Sequence, residues 1–452
     1  MSTSVKSTAK FRVRRPAILL KLAFENIRLN WRHSLATLLA IVGGFAAIAL
    51  FDGFVLALQD YSEDAYVNKG AMGHVLIEKT GSKEHSFEDQ WTYMLSKEQQ
   101  AELDSMLAVD KRVDSISREM MFSGLVSGAG SSAVFIGIGE DVEGNRKIRG
   151  PKWEWNTIAG RPLAKAGGDA VVIGIGLAKL LGCAPDESPL LTGDGAYVAK
   201  ERPMNCKKSS FQFSVSTEHA QANATNLKPA GVIDLQLREV NDRFVAMPLA
   251  VAQRLLDTDR VSHFSVTLRD PAHAVKFARD FQAAARARGL DVEATFWLDH
   301  PDAALSKGGM ELLSVFRILF LTIVAVIAAM SVANSMMKSI NERIREIGTL
   351  RSFGFRRSDI LLMFSLEGLL LGLFASAIGI VCSVFLTTGL SHLGLTFKAG
   401  LLSSAMPLEF SIALPVWIGT ALVLSLITFG ASWLVSRRAA RMPIADALRY
   451  VA

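Results

Sequence analysis

The sequence predicts an α-helical membrane protein with four transmembrane helices and a large α+β extracytoplasmic (periplasmic) domain inserted between the first and second helices. Three observations predict this fold class: four long apolar runs, clusters of basic residues beside them, and a mixed strand and helix pattern over residues 59–310. Charged residues form only 20% of the 452-residue chain, whereas soluble domains average about 25%. The composition therefore excludes an ordinary soluble enzyme, and the polar region excludes a wholly intramembrane protein.

Each apolar run is long enough to cross a bilayer, because a hydrocarbon core ~30 Å thick needs roughly 20 residues of helix. We predict transmembrane helices at 34–58, 311–338, 360–390 and 412–435. Residues 391–411 then form a short periplasmic loop. A charge at the bilayer centre costs ~2.5–3.5 kcal/mol on insertion scales. We therefore expect Asp52 and Arg317 near the outer interface and Glu367 near the inner one.

The distribution of charge predicts the orientation of the chain. Residues 1–33, 338–359 and 436–452 together carry 18 basic and five acidic residues, whereas residues 59–310 carry 29 basic and 34 acidic ones. The positive-inside rule then places both termini and the loop 339–359 in the cytoplasm, and the 59–310 domain on the opposite side. Basic residues spread over three separate pieces exclude a nucleic-acid surface, which needs them on one folded face.

The N-terminal segment 1–33 carries a helical pattern just before the first span. Its apolar residues recur at helical spacing with charged residues between them: Leu19, Leu20, Ala23, Phe24, Ile27 and Trp31 against Lys21, Glu25, Arg28 and Arg32. The pattern predicts an amphipathic helix on the inner membrane surface, with a helical extension of the first span as an alternative. A cleaved signal peptide is a second alternative, because Ala47 and Ala49 fit the small-x-small pattern, but the apolar run continues to Leu58.

The region 59–310 alternates between two periodicities, which indicates an α+β domain. Strand-like alternation occurs at 73–79, 132–139, 169–174, 211–216, 230–237, 243–249 and 263–270. Helical periodicity occurs at 96–108, 176–182, 249–257 and 272–289. The Ser-, Lys- and Asn-rich stretch 200–229 is predicted to be an exposed loop. Cys183 and Cys206 either form a disulfide on the extracytoplasmic side or remain two thiols.

Motifs for catalysis and nucleotide binding are missing from the sequence. It contains no GxxxxGK[ST] loop and no GxSxG elbow, and its eight histidines form neither HExxH nor a close cluster with cysteine. Gly137-x-Gly139 and Gly174-x-Gly176 lack the third glycine of GxGxxG, so we interpret them as tight turns after strands. We expect no enzymatic activity, no metal and no cofactor in this chain.

Small residues recur in the third span at four-residue intervals: Gly368, Gly372 and Ser376. Such spacing lets two helix backbones approach closely in lipid. The alternative is the general richness of membrane helices in glycine.

The polar loop 339–359 is the main functional candidate. Its residues 342–354, ERIREIGTLRSFG, place apolar side chains at spacings of three: Ile344, Ile347, Leu350 and Phe353. Gly354 is the expected helix stop. A short amphipathic helix in such a loop either lies on the membrane or docks into a groove of a partner protein, and the periodicity alone leaves both possibilities open.

The run ERxREIGxLRxxG, followed by an apolar helix with Glu367-Gly368, resembles the core of FtsX-like ABC permeases. Segments 20–44, 156–163 with 169–182, and 437–451 are similar to other parts of this family in the same order. Within the family, some segments look closer to lipoprotein-releasing (Lol-type) permeases than to macrolide exporters (MacB-type): 50–60, 73–79, 231–256 and 296–302.

The resemblance implies a permease subunit that works by mechanotransmission in a bacterial inner membrane. A separate ABC ATPase subunit, which binds ATP and Mg²⁺, would contact Glu342, Arg343, Glu346, Ile347, Gly348, Leu350, Arg351, Phe353 and Gly354. Other implied partners are a second permease copy or a paralogue, membrane lipid, and a periplasmic lipoprotein, chaperone or adaptor. The expected function is extraction of lipoprotein or other lipidated cargo. The alternatives are MacB-like efflux with an adaptor and FtsX-like regulation of a periplasmic hydrolase.

Overall fold

The computed structural model describes residues 15–29, 31–85, 89–185, 203–235, 237–398 and 405–443. Parts of four predicted segments lie outside the described residues: the N-terminal segment, the 200–229 stretch, the 391–411 loop and the C-terminal tail. The chain divides into two compact units. The first, which we call the membrane unit, comprises Met1–Ala57, Glu311–Leu393 and Glu409–Ala452; the second, the outer unit, comprises Leu58–Met310 and Gly394–Leu408.

The described residues form helices and strands in this chain order. The α-helices are α1 (Arg15–Leu29), α2 (Trp31–Glu63), α3 (Ser82–His85), α4 (Gln90–Tyr93), α5 (Lys97–Val109), α6 (Val142–Arg149), α7 (Ile175–Leu180), α8 (Arg238–Asn241), α9 (Leu249–Leu256), α10 (Ala274–Ala287), α11 (Ala304–Glu342), α12 (Ile344–Ser352), α13 (Arg357–His392) and α14 (Leu414–Arg441). The strands are β1 (Val75–Lys79), β2 (Val113–Gly128), β3 (Ser131–Glu140), β4 (Ala159–Gly160), β5 (Ala170–Gly174), β6 (Cys183–Pro185), β7 (Met204–Cys206), β8 (Phe211–Ser216), β9 (Ala222–Ile233), β10 (Phe244–Pro248), β11 (His263–Leu268), β12 (Val292–Phe296), β13 (Thr396–Phe397) and β14 (Met406–Pro407).

Four of these helices, α2, α11, α13 and α14, are long and apolar enough to cross a membrane. Most of these helices begin before and end after the predicted spans. Hydropathy locates only the apolar stretch, whereas a helix continues into polar residues as long as its backbone hydrogen bonds are kept. Helix α1 packs against α13, where the ring centroids of Phe24 and Phe374 are 6.1 Å apart.

Small residues allow close contact between α13 and α14. A Cβ atom added at Gly372 would lie 2.9 Å from the Cα of Ser425, and one added at Gly368 would lie 2.8 Å from the carbonyl oxygen of Thr428. Ser376 is fully buried on the same helix. Gly368 and Gly372 therefore lie where these two helices pack, as close approach of membrane helices requires.

A ten-stranded mixed sheet forms the centre of the outer unit as described, in the order β12-β1-β11-β2-β3-β10-β5-β9-β4, with β8 paired to β2 and β9. The pairs β3–β10 and β5–β9 are parallel. One hydrophobic core collects residues of β2, β3, β8, α7 and α9. A second core packs α5 and α10 on β1 and β11. Strands mixed with short helices agree with the α+β expectation.

The predicted loop at 200–229 is wrong in part, because β7, β8 and most of β9 lie there. Strand β9 alternates exposed and half-buried side chains over its first half, so its composition is that of a surface segment although its backbone is paired. Seven described strands were not predicted: β2, β4, β6, β7, β12, β13 and β14. The buried face of β2 carries Ser115, Ser117 and Glu119, which hides the usual apolar alternation.

The two glycine pairs differ from each other in the structure. Gly137 and Gly139 lie inside β3 and not in a turn. Glycine fits both positions because the ring of Phe122 and the Cβ of Ala252 occupy the space that a side chain would need. Gly174 ends β5 and leads directly into α7, as a turn after a strand would.

Cys183 and Cys206 face each other across the β6–β7 pair and form a disulfide. A cross-link with a sequence separation of 23 residues restricts the unfolded chain and contributes about 3 kcal/mol in the loop-entropy treatment.

We expect a reducing agent to lower the melting temperature of the outer unit in the wild-type chain but not in Cys206→Ser, whose melting temperature is already lower without the reducing agent. Cys382→Ser, which removes a free thiol in α13, is the control. An unchanged wild-type melting temperature under reduction would contradict this.

Candidate partner-docking site

Helix α12 occupies the loop between α11 and α13 and has defined ends. Arg343 separates it from α11. At its other end Gly354 has φ +94°, and the amide of Phe355 donates to the carbonyl of Leu350 at 3.2 Å. This pattern is a Schellman-type end, for which glycine is the favoured residue. The Asp359 side chain then accepts from the amide of Arg356 at 2.9 Å and starts α13.

The apolar face of α12 contacts the protein itself. Ile344 and Ile347 are buried, and with Arg351 they border a small cavity closed by Ala439 and Met442 at the end of α14. The guanidinium of Arg351 donates to the carbonyl of Met442. The expectation that the apolar face meets a membrane or a partner is therefore wrong for Ile344 and Ile347, which pack inside the protein, and stays a prediction for the exposed Phe353. The ends of the spanning helices leave apolar side chains that α12 shields from water. Periodicity alone cannot tell whether the apolar face of a helix packs against its own chain or against a partner.

The opposite face of α12 is exposed and polar, and Phe353, the last residue of the apolar series, is exposed just past the end of the helix. Glu342, Glu346 and Gly354 are exposed, and the Phe353 side chain is 79% exposed. Among the nine residues predicted to contact a partner, the structure thus separates these four outward ones from five that are buried or half-buried. The five are Arg343, Ile347, Gly348, Leu350 and Arg351. We call the outward surface, with Arg345 and Thr349, the docking surface.

Sequence reasoning did not connect two polar residues, Asn26 and Glu367, with α12. Arg343 donates through Nη2 to Oδ1 of Asn26 in α1 at 2.7 Å, and through Nε to Oε2 of Glu346 at 2.8 Å. Asn26 is 5% exposed and Glu367 in α13 is 2% exposed. The sequence offered two signals: a polar residue three positions after Ala23 on α1, and an acid within an apolar span. Contacts between residues so distant in sequence could not be derived from them.

Asp52 and Arg317, which are predicted to lie near the outer interface, pair with each other. Arg317 Nε lies 2.9 Å from Asp52 Oδ1. Asp52 is 4% exposed, whereas the Arg317 side chain is 45% exposed. An ion pair removes much of the cost of placing either charge within a span. Sequence position predicted a shared depth for these residues but not their contact.

Within the outer unit, the chain that follows α2 contacts the chain that precedes α11. The rings of Tyr66 and Trp297 stack with centroids 5.7 Å apart, and the Tyr66 hydroxyl donates to the carbonyl of Asp302 at 3.0 Å. Burial disfavours the charged His300 ring, but its hydrogen bonds to Asp302 and Glu78 outweigh this and raise the pKa of His300 to about 9. We call Tyr66, Trp297, His300 and Asp302 the neck contact.

Within the described ranges, no three His, Cys, Asp or Glu side chains are grouped so that they could hold a metal ion. The arrangement is one of packing, ion pairs and an exposed helix face. An exposed helix face of this kind can bind a partner protein.

Comparison with known proteins gives matches over both units. Residues 34–284 match the MacB-like periplasmic core domain, and residues 318–444 match the FtsX-like permease C-terminal domain. The macrolide export ATP-binding/permease proteins MacB of Salmonella paratyphi A and Shigella boydii serotype 4 are 36% identical over 137 residues and 37% identical over 134 residues. Each match covers 29% of this chain and 19% of the relative, so the chain spans about a fifth of the length of these curated relatives.

Two solved structures are similar to part of the chain. The extracellular domain of the noncanonic ABC-type transporter YknZ from Gram-positive bacteria is 11% identical with a TM-score of 0.31, and the match covers 49% of this chain and 98% of that one. The periplasmic region of MacB from Actinobacillus actinomycetemcomitans is 11% identical with a TM-score of 0.33, covering 53% and 92%.

Proposed function

Because the chain belongs to the family of FtsX-like permeases with a MacB-like periplasmic core domain, we propose that it is the membrane subunit of an ABC transporter that works by mechanotransmission. An ABC ATPase on a separate subunit binds the docking surface and hydrolyses ATP with Mg²⁺. Closure of the ATPase displaces α12. The displacement passes along the spanning helices and rearranges the outer unit.

The continuity of α11 is the observation that carries this proposal. It is a single helix of 39 residues, from Ala304 to Glu342, and at 1.5 Å per residue it is roughly 60 Å long. It begins two residues after Asp302 of the neck contact and ends beside Arg343. A helix of this kind can carry a displacement at one end to the other without any substrate passing through the membrane.

The neck contact supports the same mechanism from the outer side. It joins the segment after α2 to the segment before α11 through an aromatic stack and a hydrogen bond. The two connections to the outer unit are therefore held to each other where they enter it. A movement of either connection would reach the sheet through both.

Orientation and location follow from charge and redox chemistry. The basic clusters favour cytoplasmic termini and a cytoplasmic loop 339–359. The Cys183–Cys206 disulfide favours an oxidising compartment for the outer unit, because cytosolic thiols are kept reduced. We infer a bacterial inner-membrane protein with a periplasmic outer unit. Four spans are few for a pathway, so a dimer with a second copy or a paralogue completes the membrane part.

The cargo that we propose is a lipoprotein or another lipidated molecule taken from the outer leaflet. The matched relatives favour a second candidate, because their names state macrolide export. In that case the outer unit would drive a periplasmic adaptor rather than a lipoprotein chaperone.

Purification of the complex from native membranes tests the proposal. We expect an ABC ATPase to copurify and to hydrolyse ATP faster with the permease than alone in proteoliposomes. Mass spectrometry of the bound lipids and proteins then separates lipidated cargo from an adaptor. Failure of any ATPase to bind, or equal hydrolysis with and without the permease, would contradict the proposal.

A further inference from the structure

Arg343 connects three helices at the point where α11 ends. Its guanidinium bonds Asn26 of α1 and Glu346 of α12, and it interacts electrostatically with the buried carboxyl of Glu367 in α13, to which Asn26 is the other polar neighbour. We call Asn26, Arg343 and Glu367 the inner junction. It lies behind the docking surface, on the side that a partner bound to Phe353 and Glu346 would not touch.

The inner junction is incompletely bonded. Glu367 Oε2, Asn26 Nδ2 and Arg343 Nη1 are all buried, and none has a well-formed hydrogen bond within the described ranges. A buried carboxylate and a buried guanidinium are costly unless they are paired and hydrogen-bonded. Arg343 directly precedes α12, so a movement of α12 can bring its open donor to the open acceptor of Glu367.

From this geometry we propose that Glu367 and Asn26 are positioning residues for α12. They hold Arg343, and through it they connect α12 to α1 and α13. A displacement that the ATPase imposes on α12 closes the open bonds of the inner junction and moves the three helices together. This inference rests on the proposed function and adds the residues that pass the displacement from the docking helix to the spans.

The test uses the permease reconstituted with its copurified ATPase. Glu367→Gln keeps the shape of the side chain and removes its charge. We expect the affinity for the ATPase to stay within about twofold and the maximal stimulation of hydrolysis to fall about tenfold, a usual size for coupling between sites. Ser383→Ala is the matched control, because Ser383 is buried on the same helix and bonds only its own turn, at the carbonyl of Gly379; it should keep wild-type stimulation.

A second comparison separates coupling from simple folding. Arg343→Gln removes the cation beside the buried Glu367 carboxyl and the donor to Asn26, so the melting temperature should fall. Adding Glu367→Gln replaces the carboxyl that has lost its partner by a neutral amide and should restore the melting temperature. If the inner junction carries the displacement, stimulation stays low in the double variant although stability returns. Non-additivity of this kind is expected for residues in direct contact.

Each outcome of these experiments either supports or overturns the role of the inner junction. Recovery of stimulation together with stability would reduce the inner junction to a structural role and overturn the inference, as would wild-type stimulation by Glu367→Gln. A loss of ATPase affinity as large as the loss of stimulation would also overturn it. Failure of the wild-type permease to stimulate hydrolysis is a different result, because it overturns the proposed function itself.

Discussion

Phe353→Ala is expected to abolish most of the stimulation of the partner ATPase while the permease remains folded. Phe353 is the large apolar side chain that the docking surface presents, whereas Ile344 and Ile347 are already used inside the protein. Full burial of a phenylalanine side chain contributes about 1.5–3 kcal/mol. Its removal should weaken ATPase binding roughly 10- to 100-fold. Titration of the ATPase against reconstituted permease measures this directly.

Phe385→Ala is the matched control for this variant. Phe385 is 74% exposed, nearly as much as Phe353, but it lies near the other end of α13. It should leave ATPase binding unchanged. Glu346→Lys reverses an exposed charge that Arg343 contacts and should also impair stimulation. If both Phe353→Ala and Glu346→Lys stimulated like the wild type, the assignment of the docking surface would be wrong.

Gly372→Ala is expected to destabilise the membrane unit strongly for so small a change. The added Cβ would approach the Cα of Ser425 to 2.9 Å, a backbone atom that cannot rotate away, so α13 and α14 must separate. Overpacking of a close contact costs typically 1–3 kcal/mol. A thiol-reactive dye reports the melting, because Cys382 in α13 is a free thiol and Cys183 and Cys206 are bonded to each other.

Gly389→Ala, on the same helix, provides the comparison. A Cβ at Gly389 would meet no atom within 4 Å, and alanine is the better helix former by about 1 kcal/mol. We expect Gly389→Ala to melt at or above the wild-type temperature and Gly372→Ala to melt several degrees below it. Equal melting of the two variants would show that the α13–α14 contact is looser than the structure has it.

Prediction from sequence worked where one local property decides the structure. Hydropathy locates the four apolar helices, because a spanning segment must be long and apolar whatever it packs against. Alternation located seven of the ten described strands of the large sheet. It failed at β2, where Ser117 and Glu119 are buried beneath α6 and bond Asn145 directly. Buried polar residues that satisfy one another resemble surface residues in sequence.

The candidate site shows the same limit. Sequence placed the docking helix within residues 342–354 and its stop at Gly354, because both depend on neighbouring residues. It could not tell which face of the helix is free, since that depends on the distant end of α14. It also could not connect Asn26 with Arg343, or Asp52 with Arg317, because each pair joins segments that only the tertiary fold brings together.

Photo-cross-linking from position 353 tests the central claim most directly. A photoreactive phenylalanine analogue replaces Phe353 in one chain and Phe385 in another, and intact membranes that contain the ATPase are irradiated. The account predicts a covalent adduct with the ABC ATPase from position 353 and none from position 385. An adduct with a periplasmic protein, or no adduct although the ATPase copurifies, would contradict it.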